Sequence, residues 1–175
     1  MFYSFFSIEF YALYSFINLK QILHVAVKKI LTEIANQADA LEAENPKLSK
    51  KLKAISKEAK DYKNSLVALG GDGYVNEGEA IRERISNLYR QIISYPGRPS
   101  NSQIERAKVL ENDMKEIEVT FNEILNGDVA KMNKSLAKKE LKTIEISSKE
   151  DFLSNKKNKG SSGGYSEWHK LNFMF

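Results

Sequence analysis

No cysteine occurs in the 175 residues, so disulfides, thiolate zinc sites and cysteine nucleophiles are excluded together. The compartment stays open, because many exported proteins also lack cysteine. Histidine is nearly as scarce. His24 and His169 are the only two, and neither has a second ligand at the spacing of an H-E-x-x-H zinc motif. The Glu-x-x-His pattern of di-iron helical bundles is missing as well. No lysine or arginine precedes Lys20, Glu9 interrupts the aromatic start, and no A-x-A cleavage site follows. These absences argue against a secretory signal. The same run is shorter than the ~20 apolar residues needed to span a bilayer. There are three prolines, Pro46, Pro96 and Pro99, so long stretches are free to be helical.

What is present is a repeated apolar spacing. Leu48, Leu52, Ile55, Ala59, Tyr62, Leu66 and Leu69 follow one another at alternating steps of 4 and 3. Gln103, Ala107, Leu110, Met114, Ile117, Phe121 and Ile124 repeat the rhythm, with Gln103 alone polar. A helix turns once per ~3.6 residues, so this spacing keeps one narrow stripe on a neighbouring helix. Ile81, Ile85, Leu88 and Ile92 form a shorter stripe of the same kind, and a broader apolar face runs from Leu19 through Ala26, Ile30 and Ile34 to Leu41. With 42% apolar and 29% charged residues, the composition is that of an ordinary globular domain.

The breaks complete the pattern. The first helix is expected from about Leu19 to Glu44. Asn45-Pro46 reads as an N-cap with proline at the first helical position, opening a second helix to Leu69 that Gly70 and Gly71 stop. A third helix spans about Glu79 to Ser94 and ends at Pro96-Gly97-Arg98-Pro99. Ser100 and Gln103 form a capping box for a fourth helix, which Gly127 closes at Asn126. Asp128 then caps a short fifth segment with Val129, Met132 and Leu136 inward. Leu141, Ile144 and Ile146 suggest a short extended piece. The expected fold is therefore all-α: an antiparallel up-and-down helical bundle of four main helices plus a short fifth. The bundle domain covers 19–153, after an aromatic N-terminal extension at 1–18. That extension reads as a poor signal or anchor, as the front of the first helix, or as sequence lying upstream of the domain, and the last two are favoured. The charged, Gly/Ser-rich tail at 154–175 is expected to be disordered.

The net charge of +4 is unevenly spread. Seven lysines lie between Pro46 and Lys63, whereas Glu111 to Glu123 is acidic. A nucleic-acid interface needs clustered Lys or Arg, but no arginine or aromatic pattern accompanies these lysines. A basic helix beside an acidic one, or two solvated faces, is the simpler account. The Gly70-Gly71-Asp72-Gly73 loop fails as a dinucleotide fingerprint because Asn76 stands where a third glycine is needed. It fails as a calcium loop because Tyr74 and Glu77 occupy ligand and glycine positions. A helix C-cap and turn explains it. Asn133-Lys134-Ser135 matches a glycosylation sequon at a frequency near chance. Pairs such as Glu116 and Glu123 carry no chemistry without a pocket. No catalytic, cofactor-binding or metal-ligating residue is nominated.

Leu69-Gly70-Gly71-Asp72, then Ile81 with Arg84-Ile85, Arg98-Pro99-Ser100 with Gln103, Phe121-Asn122-Glu123-Ile124-Leu125, Asp128 and Met132-Asn133 together give a family likeness. Over about 20–150 the chain resembles the C-terminal helical region of sortilin-like BNR (Asp-box) repeat proteins, which are often described as glycosyl hydrolase-like. The resemblance implies an accessory helical domain beside a β-propeller, and export. The Asp-box S-x-D-x-G-x-T-W occurs nowhere here, so no catalytic residue carries over. The leading expectation is a non-catalytic packing or interaction module, partnered by a β-propeller domain, another helical protein or a second copy. The rivals are a stand-alone hydrolase and a nucleic-acid-binding bundle using Lys47–Lys63.

Overall fold

The computed structural model describes residues 8–68, 79–95 and 97–147. Among them the fold is all-α, with four main helices and a short fifth: α1 (Ile8–Glu44), α2 (Ser49–Ser65), α3 (Ile81–Ile93), α4 (Asn101–Ile124) and α5 (Ala130–Ala137). A π-helical turn, Leu125–Val129, joins α4 to α5 without a break. Cross-helix contacts fix the directions. Glu42 and Asp39 on α1 meet Lys53 and Lys60 on α2. Glu9 and Tyr14 meet Arg98 and Tyr89, while Arg84 on α3 meets Asp113 on α4. Both α2 and α3 thus run antiparallel to α1, one beyond the other, and α4–α5 returns alongside α1. Three rods result. Two of them, α1 and α4–α5, are continuous, and the α2–α3 rod is interrupted.

The core is the set of stripes read from the sequence. Leu52, Ile55, Ala59 and Leu66 are buried, as are all four stripe residues of α3 and everything from Ala107 to Ile124 in the α4 stripe. Because α1 packs against α2, α3 and α4, it needs a wider apolar face than any of them. The Ser100 capping box is present, with Gln103 N–H donating to Ser100 Oγ and Ser100 N–H donating to Gln103 Oε1.

Four boundaries move. Helix α1 begins at Ile8 instead of Leu19, because Phe10 and Ile17 are core residues, 7% and 1% exposed, and Tyr14 packs on Tyr89 at 5.8 Å. The described part of the aromatic stretch is therefore the front of the first helix. Leu19 itself is 56% exposed. Asn45 does not cap α2. Its Nδ2 donates back to Leu41 O at 2.9 Å, closing α1, and a 3-10 turn at Pro46–Leu48 precedes α2. The second helix ends at Ser65, ahead of the glycine pair, which lies outside the described residues.

Gly127 does not close α4. The stripe steps by five residues from Ile124 to Val129, and in an α-helix of ~100° per residue Val129 would point ~140° away from Ile124. The π-turn absorbs the extra residue, so Val129, Met132 and Leu136 stay buried. Keeping those three side chains in the core, at about 1.5–3 kcal/mol each for residues of this size, outweighs the ~1 kcal/mol cost of glycine in a helix.

Helix α5 ends in a Schellman motif. Glu140 takes a left-handed φ of 56°, Glu140 N–H donates to Ala137 O, and Leu141 N–H donates to Leu136 O at 3.0 Å. Residues 141–147 then run as a strap over α1 and α5. Asn133 pairs its side-chain amide with both backbone groups of Ile144, at 2.9 and 2.8 Å. Gln37 does the same for Glu145, at 2.8 Å each. Ser147 Oγ donates to Glu33 at 2.8 Å. The amides satisfy backbone groups that no helix or sheet serves, and they hold Ile144 in the core.

Candidate functional site

Polar groups concentrate where the α2–α3 rod is interrupted. A helix end leaves backbone groups without intrahelical partners, and side chains from two helices, α1 and α3, meet them here. His24 on α1, 3% exposed, sets Nε2 3.2 Å from the carbonyl of Leu66, so Nε2–H donates and the carbonyl accepts. Glu83 on α3 accepts the N–H of Ala68 at 3.2 Å and is gripped by Arg82. On the far side Tyr62 O–H donates to Ile117 O on α4 at 3.1 Å, and Arg84 pairs with Asp113 at 2.6 Å.

Two pockets flank the break. The first, of about 240 Å³, lies between α1 and α3 and is lined by Gln21, His24, Lys28, Arg82, Ile85 and Ser86, among others. The second, of about 300 Å³, is a more open hollow between α2, α3 and α4 with Tyr62, Arg84, Asp113, Glu116 and Thr120 on its walls. Burial lowers the His24 pKa, and the cations Lys28 and Arg82 lower it further, against the opposing Leu66 hydrogen bond and Glu83. Burial also raises the Tyr62 phenol. Glu83 shows the opposite balance: burial pushes its carboxyl up, but the Ala68 N–H and Arg82 together bring it below its ordinary value.

The sequence motifs fare differently. The Gly70–Gly73 loop and His169 lie outside the described residues. Asn133 of the sequon engages both ends of its amide with Ile144, with Oδ1 accepting and Nδ2 donating. Glu116 lines the second pocket, but Glu123 is exposed and does not share it. Among the described residues no group of three His, Asp or Glu is placed to hold a metal ion. Partners of the lysine run lie on α1 and within α2, not on the acidic stretch of α4: Lys53 with Glu42, Lys60 with Asp39, and Lys57 with Asp61. No helix of the described residues is long and apolar enough to cross a membrane.

Sequence reasoning missed the surroundings of His24. Gln21, His24 and Lys28 are spaced i, i+3, i+7, hence on one helix face. Arg82 and Ser86 are spaced i, i+4 on α3. Each set is legible locally, but nothing local says that the two faces meet. No family model, curated protein or solved structure matches this chain.

Proposed function

We propose that the protein is a non-catalytic helical interaction module. It resembles the accessory helical domain that accompanies a β-propeller in sortilin-like BNR-repeat proteins, and its own contact surface is the N-terminal half of α1. The supporting observation is the apolar exposure there: Ile8 is 83% exposed, and Tyr11, Leu19 and Val25 are also open to solvent. Ile8, Tyr11 and Leu19 fall close to one helix line, so they form a face and not scattered points. A second copy of the chain is the partner this reading commits to first. Sedimentation velocity across a concentration series is the test. Self-association that rises with concentration and is abolished by Tyr11→Lys with Leu19→Lys supports the module. A wild-type chain that stays monomeric throughout refutes this surface as a self-association face.

The nucleic-acid reading is disfavoured because three of the seven run lysines hold carboxylates. Binding to a DNA duplex that falls steeply with salt would revive it.

A further inference from the structure

We propose that the pocket between α1 and α3 is a site for a small oxyanion, a sulfate- or phosphate-type group, held by Lys28, Arg82 and the Nδ1 edge of His24. Three groups able to carry positive charge converge on one pocket from two helices, with the neutral donors Gln21 and Ser86 beside them. Lys28 has no carboxylate partner among the described residues. Arg82 shares its charge with Glu83, whose other oxygen is occupied by Ala68 N–H. The charges facing His24 are therefore Lys28 and Arg82 against Glu83, a net positive wall around a buried ring. The Leu66 carbonyl fixes the proton on Nε2, which leaves Nδ1 as the ring nitrogen available to a ligand. The volume of about 240 Å³ is the share of about eight liquid waters, room for an oxyanion with part of its hydration shell.

The chemistry links binding to a proton. With the pocket empty, burial and the neighbouring Lys28 and Arg82 disfavour the charged imidazole, so the ring takes up its proton at a lower pH than an ordinary histidine. A dianion reverses that balance: the imidazolium keeps Nε2–H on Leu66 O and donates Nδ1–H to the anion, a charge-assisted hydrogen bond. Binding takes up one proton, so affinity rises as pH falls.

Inorganic sulfate is the probe, because its charge is constant over the pH range in which histidine titrates. The full chain carries two histidines, so His169 serves as the internal control in an imidazole NMR titration. The expected result is saturable movement of the His24 resonances, a rise in the His24 pKa with bound sulfate, and tighter binding at about pH 5.5 than at about pH 8. Lys28→Met and Arg82→Met, made separately and checked for cooperative unfolding, should each weaken sulfate by about tenfold or more. If only one folds, that one decides. The proposal is overturned if His24 does not move, if both histidines drift together without saturation, or if a folded variant binds as the wild type does.

Discussion

Deleting one residue from the α4–α5 rod should have opposite consequences depending on where it is taken. In the wild type Ile124 and Val129 are five residues apart and both buried, and the π-turn at Leu125–Val129 reconciles them. Removing Gly127 leaves a step of four, which an ordinary α-helix accommodates at ~40° off the stripe in place of ~140°. The deletion also removes a helical glycine that costs about 1 kcal/mol relative to alanine. Its expected effect is thus from neutral to about 1 kcal/mol of stabilisation. Deleting Asn112, an exposed residue in the middle of α4, offers no such relief. Either the segment carrying Ala107 and Leu110 or the much longer buried run from Met114 to Leu136 is turned by ~100°. The cheaper failure exposes Leu110 and Ala107 and misaligns the Ser100 cap. Leu110 alone carries about 1.5–3 kcal/mol and the cap about 1 kcal/mol, so at least about 3 kcal/mol should be lost. Urea denaturation followed by far-UV circular dichroism measures both. If the Gly127 deletion costs more than about 2 kcal/mol, or the two deletions are equivalent, the register account of the π-turn is wrong.

Four further outcomes are expected. Leu110→Ala and Ile55→Ala should each cost about 2–5 kcal/mol in the same denaturation assay, while Lys57→Ala, whose ion pair with Asp61 is solvent-exposed, should leave the urea midpoint unchanged. Glu140→Gly should raise stability by about 0.5–1 kcal/mol, read as a higher urea midpoint, because glycine accepts the left-handed φ of 56° without a Cβ clash. A chain starting at Leu19 loses Phe10 and Ile17 from the core and should lose about 3 kcal/mol or more of stability, read as a lower urea midpoint. His24 has a folded pKa below its ordinary 6.5, so just below that pH the unfolded chain binds a proton that the native chain does not. Stability from this group is complete above pH 6.5 and declines as pH falls from there to the folded pKa, and His24→Gln, which keeps a donor for Leu66 O, should flatten that limb of a thermal-melt pH series. The depressed carboxyls of Asp39 and Glu83 act in a separate, more acidic window.

What could be read from the sequence was what repeats locally. Ile81, Ile85, Leu88 and Ile92 declare a buried face through spacing alone, and Ser100 with Gln103 declares a helix start, because both signals lie within a few residues. What could not be read depended on a partner far along the chain. Phe10 and Tyr14 look foreign until Tyr89, 75 positions after Tyr14, supplies the ring on which Tyr14 packs, with Phe10 stacked on Tyr14 in turn. Gly127 looks like a stop because glycine is a common C-cap, and only the buried positions of Val129, Met132 and Leu136 show why the helix continues. His24 looked like a lone histidine because its neighbours Arg82 and Ser86 sit on another helix. Asn45 has the local signature of a cap and Asn133 that of a chance sequon, whereas each serves a backbone group, Leu41 O in one case and Ile144 in the other.

The interruption between α2 and α3 gives the polar residues around it two separable jobs. An unbroken third rod would pair Leu66 O and Ala68 N–H within its own backbone. Broken, it leaves them for side chains, and His24 and Glu83 take them. An orphaned buried carbonyl costs about 1–3 kcal/mol and the part-buried Ala68 amide less, so these two residues support the fold whether or not anything binds. Lys28 has no such duty, since its ammonium holds no carboxylate among the described residues. Loss of His24 would therefore damage fold and ligand site together, through Nε2 and Nδ1 respectively. Loss of the Lys28 charge touches the pocket alone. The chain is thus best interrogated at Lys28 for what the pocket binds, and at Tyr11 and Leu19 for what α1 meets, because neither test disturbs the groups that close the break.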